Sequence, residues 1–164
     1  MKQLCWAMAL ISFQLNAQHM NTPENTVIGL FIATDQQNWE QVKTSFDEEV
    51  LLDYSSMNGN PASRLTPEQI ISAWKGILPG FEHTHHQIGN LTVSEEDESA
   101  TVFCYGTASH FLEDNAGNLW VVVGTYNFEV IKSDDTWKIT SMKFNFKYQD
   151  GNTSLPEKAM NRIK

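Results

Sequence analysis

The chain predicts an α+β domain, with helices first and a four-stranded antiparallel meander after them. Two observations carry this. Before residue 80 most apolar residues recur at helical spacing, and from residue 84 they alternate with a period of two. The alternating stretches, 84–94, 100–113, 119–132 and 136–148, are joined by short polar turns, so neighbouring strands run antiparallel.

The elements follow in order. Residues 4–13 are apolar apart from Ser12, preceded by Lys2 and followed by Ala17-Gln18. That is too short for a membrane span and fits the apolar segment of a secretory leader over residues 1–18. An exported destination, bacterial periplasm or secreted, is therefore expected. Removing the leader removes Cys5 and leaves Cys104 alone, so the core must hold the fold without an internal disulfide. Pro23-Glu24 opens a first helix carrying Val27, Leu30, Phe31 and Thr34, and residues 35–38 break it. A second helix is expected over 39–46, with Trp39, Val42 and Phe46 on one face. Residues 50–54 read as a short strand, and 58–61 as a turn. Thr66, Pro67 and Gln69 form a capping-box start to a third helix with Ile70, Ile71, Trp74 and Leu78, ending near Pro79-Gly80. The domain is expected over 19–150, with a mobile tail over 151–164.

Composition narrows the function classes. The 164 residues include 11 Lys+Arg against 20 Asp+Glu, for a net charge of −9. No basic run exists to neutralise phosphates, which argues against nucleic acid as a partner. No membrane span is expected within the domain. No glycine-rich phosphate loop, nucleophile elbow or CxxC pair occurs.

Strand parity points to a pocket. On the second long strand Val102, Cys104, Gly106, Ala108, His110 and Leu112 share a face. On the third, Trp120, Val122, Gly124, Tyr126, Phe128 and Val130 do so, and on the fourth Thr140, Met142, Phe144 and Phe146. Large aromatics around Gly106, Ala108 and Gly124 leave space that either a small molecule or helix side chains could fill. His85 and His86 must point to opposite faces, so at most one of them enters that space. Opposite the pocket, Phe103, Tyr105, Val121, Val123 and Ile131 form an apolar outer face that would suit a homodimer.

Five segments carry a family resemblance: ATDQQNW at 33–39, VLLDYSS at 50–56, THHQIGN at 84–90, ASH at 108–110 and DDTWKI at 134–139. Together, over about residues 24–148, they resemble the SnoaL-like group of the nuclear-transport-factor-2-like superfamily, in particular its scytalone-dehydratase-like branch. The resemblance implies a cone-shaped fold, three helices packed on a curved antiparallel sheet that encloses a pocket. By motif it implies that Asp35, Tyr54, His86 and His110 are catalytic. Tyr126, Phe144 and Trp39 are the expected substrate contacts. Thr34, Gly124 and Tyr126 stand where that branch has a tyrosine, a serine and an asparagine, so the substrate is expected to differ.

The reaction so implied is dehydration or isomerisation of a small hydroxy or keto compound, by acid–base chemistry with no metal and no cofactor. His110, kept basic by Asp35, would remove a proton alpha to a carbonyl that Tyr54 and His86 polarise. Two alternatives stay open. One is a non-catalytic ligand-binding or dimerising module on the same fold. The other is a zinc site built from His83, His85, His86 and His110.

Overall fold

A computed structural model describes residues 21–164. The leader expected over 1–18 lies outside the described residues. Helix α1 spans Pro23–Asp35, with Thr22 as its N-cap and Pro23 at the first turn. Helix α2 spans Trp39–Ser45, capped by Asn38. Between them Gln37 takes a left-handed conformation, φ 53°, which turns the chain sharply after Asp35. Strand β1 is Phe46–Asp53, the one-turn helix α3 is Ser55–Asn58, and β2 is Ser63–Leu65. Helix α4 is Pro67–Lys75, and the Thr66–Gln69 capping box predicted for its start is formed. A 3-10 turn at Leu78–Gly80 leads into β3 (His83–Glu96), β4 (Ser99–Phe111), β5 (Leu119–Ser133) and β6 (Thr136–Gly151). Helix α5, Leu155–Ile163, closes the chain.

The six strands form one sheet in the order β2-β1-β6-β5-β4-β3. The meander β3 to β6 is antiparallel as expected, whereas β1 lies parallel to β6. Register breaks interrupt β3 between Gly89 and Thr92, and the β5–β6 pairing at two places. Such bulges bend a strand and strengthen its twist, so the sheet curls around α1. Val27, Leu30 and Phe31 of α1 are buried against Val102, Phe128, Val130, Ile139, Met142 and Phe144 of the sheet.

Four expectations change. The third helix ends at Lys75, because Gly76 and Pro79 interrupt it and the remainder winds as a 3-10 turn. The structure adds β2 and α3, which are too short to show a period. Inward parity on β6 is broken near Thr140: Ile139 pairs Val130 while Ser141 pairs Glu129, so Trp137 and Ile139 face the core and Thr140 does not. The tail beyond Gly151 is ordered as α5. Leu155 and Ala159 are fully buried, Lys158 pairs with Asp114, and Arg162 sits 3.2 Å from Glu82.

Glycines set two of these contacts. A Cβ on Gly80 would overlap the backbone of Ala159, so only glycine lets α5 dock against the 3-10 turn. Gly29, in the interior of α1, has open space around a would-be Cβ. Gly80→Ala is therefore expected to lower unfolding free energy by about 1–3 kcal/mol, and Gly29→Ala to raise it by about 0.5–1 kcal/mol. Denaturant melts of the two variants check both signs.

Candidate active site

Asp35 is the last residue of α1, where the helix dipole disfavours a negative charge. Its carboxylate is held there by donors from β3. Oδ1 accepts from His86 Nδ1 at 2.6 Å and Thr84 Oγ1 at 3.0 Å, and Oδ2 accepts the His86 backbone N–H at 2.7 Å. Burial alone would raise the Asp35 carboxyl, but the hydrogen bonds and charge of His86 outweigh it and hold it below the usual carboxylate value. Because Nδ1 faces a carboxylate, which can only accept, the ring when neutral carries its proton on Nδ1 and its lone pair on Nε2. Phe31, one turn before Asp35 on α1, stacks on the His86 ring at 5.5 Å.

His110 lies on the neighbouring strand. Thr84 pairs His110 and His86 pairs Ala108, so both histidines project from the inner face. Their rings are 5.9 Å apart and nearly perpendicular. His110 is only 5% exposed, sits between Phe81 and Trp120, and has Nδ1 3.4 Å from the Trp120 carbonyl. The expected Asp35–His110 pair is therefore corrected to Asp35–His86. The strand register places His110 over Trp120, beyond hydrogen-bond reach of the α1 terminus.

Tyr54 follows β1 and is fixed by its neighbours. The Asp53 carboxylate accepts the Ser55 N–H at 2.9 Å. Ser56 Oγ donates to the Phe144 carbonyl at 2.6 Å and accepts the Phe146 N–H at 2.9 Å, which latches α3 onto β6. The Tyr54 ring leans on Phe144, and Phe144 on Tyr126. Burial pushes both phenols up from their ordinary value, so both remain protonated donors at neutral pH. Among the described residues, neither hydroxyl has a protein hydrogen-bond partner.

These groups meet in one cavity of about 180 Å³, lined by Tyr54, His86, His110, Tyr126 and Phe144, with Phe31, Thr34, Met57, Trp74 and Trp120 among the other walls. A cavity of about 150 Å³ suffices for benzene, so a single-ring compound fits. Parity put the space on this face, around Gly106, Ala108 and Gly124, and of the three Ala108 lines it. A Cβ on Gly106 would overlap the Tyr126 ring and one on Gly124 the Phe144 ring, so these glycines seat aromatic walls and do not form the void. The Thr34 hydroxyl is spent on the Leu30 carbonyl at 2.8 Å.

Trp39 is a second correction. It sits at the start of α2, packs on the outside of the core beneath Lys75, and does not line the cavity. The sharp turn at Gln37 carries it away. The lining residues Phe31 and Trp120 went unassigned, although Phe31 lies four residues before Asp35 and Trp120 pairs His110. Met57 lies on α3, which gave no signal. His83 and His85 are exposed on the strand, away from His86 and His110, so the four histidines do not converge. Among the described residues no group of three or more metal-ligating side chains forms.

Desolvation lowers His110 from its ordinary value of 6.5 to about 4, helped by the nearby His86. Between those values the unfolded chain binds the proton and the folded chain does not. The stability tied to neutral His110 is complete above about pH 6.5 and is lost as pH falls toward 4, by roughly 3 kcal/mol in total. Melting temperature is expected to fall over that window, and His110→Gln is expected to flatten the fall. An unchanged slope in the variant would assign the acid sensitivity elsewhere.

A sequence profile of the SnoaL-like domain matches residues 24–143. No curated protein matches the chain. Among solved structures, the Kfla4162 protein from Kribbella flavida superposes with a TM-score of 0.77 at 22% identity, over 82% of this chain and 93% of that one. A protein from Novosphingobium aromaticivorans, named as a candidate scytalone dehydratase, superposes at 0.68 with 18% identity, over 79% and 84%. Hexachlorocyclohexane dehydrochlorinase LinA-type3 from Novosphingobium barchaimii does so at 0.65 with 11% identity, over 79% and 87%. At such identities the structures speak for the fold, the nuclear-transport-factor-2-like cone. The profile spans most of the chain, and the protein belongs to the SnoaL-like domain family.

Proposed function

We propose that the protein is a cofactor-independent acid–base enzyme, a dehydratase or isomerase acting on a small neutral compound, with His86 as its base. The observation that carries this is the Asp35–His86 pair opening into an aromatic cavity. A base must sit within hydrogen-bond reach of the proton that it removes and be kept in the right tautomer. Asp35 does the second by taking Nδ1–H, as a carboxylate does for the histidine of a catalytic triad. The first then falls to Nε2, on the cavity side of the ring.

In this scheme His86 Nε2 takes a proton from a carbon alpha to a carbonyl. The charge on the imidazolium is balanced by Asp35. The oxygen that gains charge as the enolate forms is met by the Tyr54 and Tyr126 hydroxyls. The proton then leaves His86 in one of two directions. Delivered to a hydroxyl beta to the carbonyl, it releases water and leaves a double bond. Delivered to another carbon, it gives an isomer of unchanged mass. The candidate scytalone dehydratase and the dehydrochlorinase among the structural neighbours are named for eliminations, which favours the first course.

We extend the proposal to export of the chain and to pairing of two copies. The apolar stretch 4–13 before Ala17-Gln18 supports export to the periplasm or beyond the cell. Tyr105 and Tyr148, exposed on the outer sheet face, support pairing of two copies there.

The test uses a small-metabolite extract. Wild-type protein and Asp35→Asn are incubated with it and compared by mass spectrometry. Wild type is expected to consume a species and yield one lighter by a water, or one of equal mass and new retention. Asp35→Asn is expected to slow this by about 10²–10⁴-fold in protein that remains folded. Equal turnover, or a ligand that co-purifies unaltered with no turnover of any species, would sink the proposal.

A further inference from the structure

Helix α1 is apolar on all sides. From Val27 to Ala33 no residue carries a polar side chain, and that run makes about two helical turns. A helix that is apolar all round is normally buried all round. This one is not. Val27, Leu30 and Phe31 face the core, whereas Ile32 is 52% exposed and Ile28 and Gly29 are half-buried. Phe31 and Thr34 wall the aromatic cavity. Ile28, Gly29 and Ile32 floor a separate space on the other side of the helix, and the two spaces share no lining residue.

That second space is a groove of about 580 Å³ between α1, α2 and the start of β6. α1 runs along it from Asn25 to Gln36, about 16 Å at the helical rise. Nothing reaches over Gly29, where an added Cβ would meet no atom within 4 Å. The charge of the groove is the reverse of the protein's. The chain has 20 Asp+Glu, yet among the described residues no Asp or Glu lines the groove, and its charged lining residue is Lys138. Lys138 Nζ donates one hydrogen to the Thr44 carbonyl in the last turn of α2. Two ammonium hydrogens remain, and no described carboxylate lies within ion-pair reach of them. Lys43, Lys132, Lys143 and Lys158, by contrast, each have a carboxylate partner. An unbalanced cation thus stands at the edge of an uncovered apolar floor.

We propose that this groove is a second binding site, for a chain-like amphiphile with a carboxylate head. Its apolar body lies along Ile28, Gly29 and Ile32, and its carboxylate accepts from Lys138. One ammonium balances one carboxylate. Charge complementarity sets this occupant above the others. Residues 1–20 hold no Asp or Glu, so they bring no anion to Lys138. A second copy offering the same groove would set one concave surface against another and fill neither. The aromatic cavity makes the opposite choice, since no Lys or Arg lines it. The two sites therefore sort ligands by charge from opposite faces of one helix, and the groove needs nothing from the acid–base chemistry of the cavity.

The test titrates decanoate, below its micelle concentration, into the full chain with ¹³C-labelled isoleucine methyls. The Ile28 and Ile32 methyls are expected to shift and saturate, while Ile77, which lines the aromatic cavity, stays unmoved. Decyltrimethylammonium has the same tail and the opposite head. It is expected to bind at least tenfold more weakly than decanoate, although a net charge of −9 favours the cation at long range. Lys138→Met keeps the apolar stem and is expected to weaken decanoate about three- to tenfold. Gly29→Leu fills the floor from a position with open space and is expected to weaken it at least tenfold in protein that stays folded by circular dichroism. Sedimentation of the free protein tests the rival occupants. Equal affinity for the two heads, shifts that do not saturate, or shifts confined to Ile77 would each overturn the assignment. So would an oligomer that Ile32→Asp dissociates, or contacts from residues 1–20 to Ile32 in a chain that takes up no decanoate.

Discussion

A carboxylate at the wrong end of a helix organises this protein. Asp35 places a negative charge where the carbonyls of α1 already concentrate one. Nothing on α1 relieves it. Relief comes from β3, through the His86 backbone N–H, the His86 ring and the Thr84 hydroxyl. Those contacts join the end of the central helix to the edge of the sheet. They close one side of the cavity, and they fix the His86 ring in register with Phe31. The same three bonds therefore serve the fold and set the chemistry of the imidazole.

The cavity depends on a second constraint, the seating of rings over glycines. Tyr126 lies over Gly106, and Phe144 lies over Gly124. Each ring occupies the place that a Cβ would take, and so stands close against the sheet. Phe144 then touches both Tyr54 and Tyr126, which brings two phenols from distant parts of the chain into one wall. The latch of Ser56 on the Phe144 and Phe146 backbone keeps Tyr54 in that wall. At the opposite end Phe81, Trp120 and His110 pack together next to the 3-10 turn that α5 covers. An apolar box results, with its few polar groups at fixed places.

Much of this was legible in the sequence, and the failures have physical causes. The meander follows from alternation and short turns, and the capping box at Thr66 marks α4 to the residue. Tyr54, His86 and His110 line one cavity, and Asp35 reaches it only through the His86 ring. Their pairing was not legible, because a motif says which residues approach a site and the strand register says which of them touch. One residue pair decided it: His86 faces Asp35 across the α1–β3 junction while His110 faces Trp120. Trp39 was misplaced because a single left-handed residue, Gln37, redirects the chain after α1. The tail reads as mobile because its apolar residues are few, yet Leu155 and Ala159 are fully buried, and Gly80 leaves room for the Ala159 backbone. Parity on β6 failed at a bulge, which period-two reasoning does not anticipate.

The central claim is that His86 removes a proton from carbon inside this cavity. Deuterium wash-in tests it without knowledge of the natural substrate. A panel of single-ring ketones, some bearing a hydroxyl, is incubated with the protein in heavy water, and the mass gain at the carbon alpha to the carbonyl is followed. The account predicts incorporation above the buffer rate for at least one ketone, abolished in His86→Gln. Incorporation that proceeds equally in His86→Gln, or no incorporation from any ketone shown to bind the cavity, would contradict it.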